Sequence, residues 1–239
     1  MGGDSNAYSV AEASRMLAWW LDAGVDTAIQ EQPRNWLKPA ADPLPNAALA
    51  PEAPAKPTAA EMPDSFTPFI DWLASSPALP LTAASARRVL PKGDQGAPIM
   101  LLSDAPSFDD AAAGDVIGGD VWTLTERMLA AIKIPADQAY VAALSCFHSP
   151  GSIADAELEA CAAIARRHIA LAKPQRLLLF GDAPSRALLG KLLTATRGRA
   201  HKIEGVRTVA TFHPRHLLKH PSHKALAWRD LLLLMEDDR

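Results

Sequence analysis

The sequence predicts an α/β protein with three layers, α/β/α, around a central and mostly parallel four-stranded sheet. Three observations carry that expectation. From Pro98 onward, apolar runs of strand length alternate with helical patterns, as parallel neighbours require because each needs a crossover connection. The runs are continuously apolar rather than alternating, the pattern of strands covered on both faces. Each run stops at a cluster of Asp, Ser, Gly or Pro, the punctuation of a turn.

The elements follow in order. Residues 8–24, "YSVAEASRMLAWWLDAG", read as an amphipathic helix: Met16, Leu17, Trp20 and Leu21 recur at helical spacing and Gly24 is a stop signal. Residues 38–64 hold seven prolines among many alanines. Proline removes donors and stiffens the chain, so this stretch reads as a disordered or extended linker. A short helix is expected around Thr67 to Ala74. Then come the strand "PIMLLS", the helix "VWTLTERMLAAI", the strand "AYVAALS" and the helix "ADAELEACAAIARRHIALA". The strand "RLLLF", the helix "RALLGKLLTAT", the strand "VRTVATF" and the helix "HKALAWRDLLLLM" complete the chain. The expected organisation is a helical segment over 1–37, the linker over 38–64 and the α/β/α domain over 65–239.

Composition agrees. A chain of 239 residues suffices for one sizeable core, and 49% hydrophobic with 21% charged residues is ordinary for a globular protein. No apolar run approaches the roughly 20 residues of a membrane-spanning helix. "MGGDSNAYSV" lacks the basic-then-apolar order of a secretory signal. Two cysteines, Cys146 and Cys161, make no disulfide framework, so a reducing cytoplasm is the expected location.

The net charge of −3 does not by itself point to nucleic acid. Yet the segment from Arg197 to Lys224 carries seven Lys or Arg against one acid, Glu204, and five of the seven histidines. It is either a solvated basic surface or a phosphate-binding face, and charge alone leaves both open.

In open α/β sheets, ligands gather at the carboxyl ends of the strands. Those ends are Ser103-Asp104-Ala105-Pro106, Cys146-Phe147-His148, Gly181-Asp182-Ala183-Pro184 and His213-Pro214. Asp104 and His213 are therefore expected to face one crevice. A metal site in His213, His216, His220 and His223 has suitable spacing, but Pro221 interrupts the helix and no carboxylate lies close in sequence. His148 and His168 read as surface or helix-end polar groups.

From about Pro98 to Leu234 the chain resembles the uracil-DNA glycosylase superfamily, most closely its family 4, the iron–sulfur type. The resemblance is carried by "LLSDAPS", "GDVIGG", "LTERMLAAI", "RLLLFGDAPSRALLG" and "TFHPRHLLKHP" followed by "AWRDL", in that order. It implies removal of uracil or a related damaged base from DNA by hydrolysis of the N-glycosidic bond. Such an enzyme flips the base into a pocket and stabilises the departing anion with aimed donors. The resemblance makes Asp104 and His213 the catalytic pair, with Ala105, Pro106, Ile117, Ala142 and Ala143 around the base. Pro214, Arg215, His216, Leu217, Lys219, Arg197 and Arg199 would then face DNA, with Leu217 wedged into the gap left by the flipped base.

The sequence departs from the family pattern at several of these positions. Asp104 replaces a glutamate, Ser103 and Ser107 replace glycines, and Ile117 replaces the stacking aromatic. Ala142 or Ala143 replaces the base-reading asparagine, and Arg215 replaces a serine. Cys146 and Cys161 match the last two cluster ligands, whereas the earlier Cys-x-x-Cys pair is absent. Four ligands are the norm for a cluster, so no 4Fe–4S cluster and no other metal or cofactor is expected, and the two thiols read as buried small apolar groups. Two functions stay open: a glycosylase with an altered pocket, and an inactive relative that binds DNA or a protein. The expected partner is DNA, with no membrane. The N-terminal segment, through Trp19 and Trp20, is a candidate docking point for a protein, and the chain is expected to be monomeric.

Overall fold

The computed structural model describes residues 62–82, 86–149, 151 and 153–236. The helix expected over 8–24, and the linker up to residue 61, lie outside the described residues.

The described chain begins with helix α1 (Phe66–Ser75), followed by strand β1 (Ile99–Ser103), α2 (Phe108–Ala113) and α3 (Gly119–Ala131). Strand β2 (Ala139–Ala143), α4 (Asp155–Ala172), β3 (Arg176–Phe180), α5 (Asp182–Leu189) and α6 (Leu193–Thr196) come next. The chain ends in β4 (Ala200–Ile203), β5 (Val206–Thr211), α7 (Pro214–Lys219), a single 3-10 turn at Pro221–His223, and α8 (Lys224–Met235).

The sheet order is β2-β1-β3-β5-β4. β1 pairs parallel with β2 and β3, and β3 pairs parallel with β5. The chain leaves β1 toward β2 and returns on the other side to β3, so the order reverses between β1 and β3. Alternate strand residues feed two separate cores. Ile99, Leu101, Leu178 and Phe180 join the layer of α3 and α8. Met100, Leu102, Leu177 and Leu179 join that of α4 and α5. This is the two-sided burial that the uninterrupted apolar runs predict. Phe69 and Leu73 of α1 pack with Phe147, Ile164 and Leu171 in a third cluster that also buries Met62.

Three expectations need correction. The sheet has five strands, not four: β4 pairs antiparallel with β5, with Ile203 opposite Val206. Of its residues, Ala-His-Lys-Ile, only Ile203 is buried at this sheet edge, so they lack the apolar run that marks a covered strand. The legible signal was the turn: Glu204 and Gly205 both take positive φ, 48° and 82°, as a two-residue hairpin requires. The helix expected over "RALLGKLLTAT" is broken, because Gly190 takes a left-handed φ of 68° and ends α5. His168 is not a surface group. It lies on the inner face of α4, where Nε2 meets the Tyr140 hydroxyl at 2.7 Å and the ring lies 5.1 Å from that of Phe69. Burial pushes its pKa down to about 3.

No helix among the described residues is long and apolar enough to cross a membrane.

Candidate functional site

The site is built where β1, β3 and β5 end. His213 is the first residue past β5 and the N-cap of α7, and its Nδ1 accepts a hydrogen bond from the Arg215 backbone N–H at 3.0 Å. That contact fixes the tautomer: with Nδ1 accepting, the neutral ring carries its proton on Nε2. Nε2 lies 2.9 Å from the Ser103 Oγ and 3.6 Å from the Asp104 Oδ1. The imidazole donates to Ser103, and the Ser103 hydroxyl donates to Asp104 Oδ1 at 3.2 Å. A directed chain therefore runs from His213 through Ser103 to the carboxylate.

His213 is buried, and this burial lowers its pKa to about 4, although Asp104 and Asp110 pull the other way. The ring is neutral near pH 7, and its one N–H, in a dry setting, is held by Ser103.

Asp104 is partly exposed and lines a cavity of about 370 Å³ together with Ala105, Pro106, His148, Arg186 and Arg215. The cavity sits at the carboxyl ends of β1 and β3, at the point where the strand order reverses and α/β sheets hold ligands. The same tetrapeptide, Asp-Ala-Pro-Ser, follows both strands, and Asp182 of the second copy also lines the cavity. His148 is half-buried and donates from Nδ1 to the Pro106 carbonyl at 2.9 Å, which ties the β2 loop to the β1 loop.

Asp110 is a further member. The segment Ser107-Phe-Asp-Asp110 forms a capping box that starts α2. The buried Asp110 also accepts from the Gly118 N–H at 2.9 Å and from the Arg215 Nη2 at 3.1 Å. Position 118 needs glycine for this approach, since a Cβ there would come within 2.9 Å of the Asp110 Oδ1. Arg215 is thereby held across the site, with Nη1 4.0 Å from Asp104. Sequence reading missed Asp110, although the Ser-x-x-Asp spacing carried its signal.

Several expected site residues are elsewhere. Ile117 is buried beneath the start of α3, drawn in by its own apolar surface, and does not line the Asp104 cavity. Ala142 is buried in the core on the α4 side and Ala143 packs against the α3 side, because successive strand residues face opposite layers. Leu217 is not available as a wedge: it is 1% exposed, on the same helical face as His213, while Leu218 is 41% exposed. Pro214 is buried in the first turn of α7. Arg197 is held by Asp230 at 3.0 Å and lies over the Phe212 ring. Lys219 and Arg199 are exposed.

The four histidines do not assemble as a metal site. His213 faces Ser103, whereas His216, His220 and His223 pack on one another, with His216 and His223 bonded through their ring nitrogens. No group of three or more His, Cys, Asp or Glu among the described residues could hold a metal ion.

An iron–sulfur cluster does not fit the residues either. The whole sequence has two cysteines. Both line a cavity of about 20 Å³ walled by Leu73, Leu79 and Val89, which has room for about one water. Burial raises the Cys146 thiol to about 11 and that of Cys161 to about 12. Both thiols should resist alkylation in the folded protein and react on unfolding. The purified protein should carry no stoichiometric iron or acid-labile sulfide; a brown preparation with four of each per chain would overturn this.

Against known families, the model described as the Uracil DNA glycosylase superfamily matches residues 90–232, more than half of the chain and the whole of this site.

Proposed function

The chain belongs to the uracil DNA glycosylase superfamily, and on that premise we propose that it removes uracil or a related damaged base from DNA by hydrolysis of the N-glycosidic bond. We place it nearest the iron–sulfur branch, on the positions of Cys146 and Cys161, as a form whose cluster ligands are incomplete and whose pocket is altered.

The observation that carries the reading is the neutral, Nε2-protonated His213 beside Asp104. When the bond from the sugar C1′ to the base breaks, its electron pair leaves with the base and positive charge grows on the sugar. On this reading the Nε2–H, which Ser103 holds in the resting site, turns to the carbonyl oxygen of the departing anion and stabilises the charge there. The Asp104 carboxylate suits the other half of the reaction, either orienting the water that adds to C1′ or balancing the sugar cation. Ser103 keeps the two groups in register. On this reading the exposed Leu218, rather than Leu217, enters the gap left by the flipped base.

The test is single-turnover excision from labelled single- and double-stranded DNA carrying uracil. The protein should release uracil, and Asp104→Ala should slow release about 100-fold or more, since positioned groups tolerate little displacement. Leu218→Ala should lower excision from duplex about 10-fold and spare single strands, which need no unstacking.

A second reading is favoured by one observation. Among the described residues, the Asp104 cavity has no asparagine, glutamine, phenylalanine, tyrosine or tryptophan in its wall, so the base-reading amide and the stacking ring are both missing. An inactive DNA-binding relative would show no excision, with salt-sensitive DNA binding intact.

A further inference from the structure

Beyond the site, the segment following β5 builds a cluster of planar groups that the proposed chemistry does not use. Phe212 stacks on His216 with ring centroids 5.1 Å apart and planes within 15°, and on His223 at 4.8 Å and 28°. His216 and His223 are joined by a 2.8 Å bond from Nε2 to Nδ1. The fourth ring, His220, meets His216 at 4.4 Å and His223 at 5.8 Å. Distances of this kind are those of favourable aromatic packing.

The stack is anchored at its base. Arg197 lies over Phe212 with its guanidinium carbon 4.9 Å from the ring centroid, and the buried Asp230 holds that guanidinium. The backbone fixes the rings as well: the His220 N–H bonds to the His216 carbonyl at 2.8 Å and the His223 N–H to the His220 carbonyl at 3.0 Å. Of the four rings, His220 is the exposed one, and the other three are half-buried. On either side of it in sequence stand two exposed cations, Lys219 and Lys224, and between Arg197 and Lys224 the only acid is Glu204, which faces Arg166.

A preassembled ring with an open face beside cations, a few residues past His213, has the makings of a stacking platform for a nucleobase. Every base has a π-face, and cations draw in the phosphates on either side of it. We propose that His220, backed by His216, His223 and Phe212, is a stacking site for an unpaired base of single-stranded DNA next to the base undergoing excision. This rests on the DNA-directed reading above, but it does not require excision to occur.

A protein partner could meet the same rings, and the test separates these cases. Binding of the full chain to a short single-stranded DNA is followed by anisotropy of a terminal dye, and stacking by quenching of a 2-aminopurine within the strand. His220 is exposed, so its replacement spares the fold. His220→Ala should weaken binding about 5-fold or more and relieve the quenching, as loss of one stacked base does. His220→Trp should restore both, because it supplies a larger ring without charge. His220→Lys should leave the quenching relieved.

Rescue by lysine but not by tryptophan would show an electrostatic surface and overturn the platform. So would equal binding by all four proteins, or no single-strand binding by the natural chain. If the natural chain fails to excise uracil but the His220 series behaves as stated, the glycosylase reading falls and the platform stands. If excision is robust and the series is flat, the reverse holds.

Discussion

Replacing His213 by alanine should slow uracil excision about 100- to 1,000-fold, the cost of removing a donor aimed at developing negative charge. DNA affinity should change little, since the buried ring has almost no surface to offer a phosphate. His213→Gln retains an N–H on a longer arm and should recover part of the loss. The pH profile gives a second check. Burial holds the His213 pKa at about 4, so the neutral donor persists from pH 8 to about 5 and its contribution to the rate should be flat there, falling only as pH nears 4. A break near the usual 6.5 would mean that the ring is charged in the working protein, against the tautomer assigned from the Arg215 N–H.

The same shift governs stability. In the unfolded chain an imidazole takes a proton below about 6.5, whereas the folded His213 takes one only near 4. Between those values the unfolded state binds more protons, so stability falls as pH drops, by roughly 3 kcal/mol for this residue. His168, held near 3 by burial, acts with the same sign. Thermal unfolding followed from pH 7 to 4 should show a steep decline, shallower in His213→Ala.

The largest stability effect should come from Asp230→Ala. This carboxylate is fully buried in α8 and accepts from Arg197 Nη2 at 3.0 Å, the Gly198 N–H at 3.1 Å and the Thr211 hydroxyl at 2.8 Å. It joins α8 to β5 and to the turn before β4. Burial raises its pKa, against the pull of Thr211, Arg197 and Gly198. Removing it strands the Arg197 guanidinium, whose side chain is 18% exposed, and orphans two more donors. Breaking one partner of such a pair costs about 3–5 kcal/mol. For a domain of this size each kcal/mol is worth about 2–4 °C, so the melting temperature should drop by about 10 °C or more. Arg197→Ala made with Asp230→Ala should cost less than the sum of the two changes, because the stranded charge is gone. Strict additivity would show that the two groups do not act as a pair.

Asp230 also explains why Arg197 misled the reading of the basic segment. Lysines and arginines counted along a sequence look alike, but the fold spends Arg197 on a buried carboxylate and Arg215 on Asp110, and leaves Lys219 and Arg199 exposed. Charge counts do not record which cations are already paired. Leu217 and Leu218 make the same point for apolar residues. A two-leucine motif names a wedge, but the turn of α7 decides which leucine is buried, and Leu217 shares the inward face of His213.

What the sequence determined by itself was the alternation of strand and helix, the parallel sheet and the placing of Asp104 and His213 at strand ends. These follow from local pattern: apolar periodicity sets element type, and parallel pairing in an α/β fold sends the carboxyl ends to one edge. The tertiary structure alone decided what depends on packing between distant segments. It added β4 at the edge, turned His168 into the core, withdrew Ile117, Ala142 and Ala143 from the cavity, and joined Asp110 to Arg215 across 105 positions. It also fixed the proton of His213, because the tautomer depends on one backbone N–H in α7 and one serine at the end of β1.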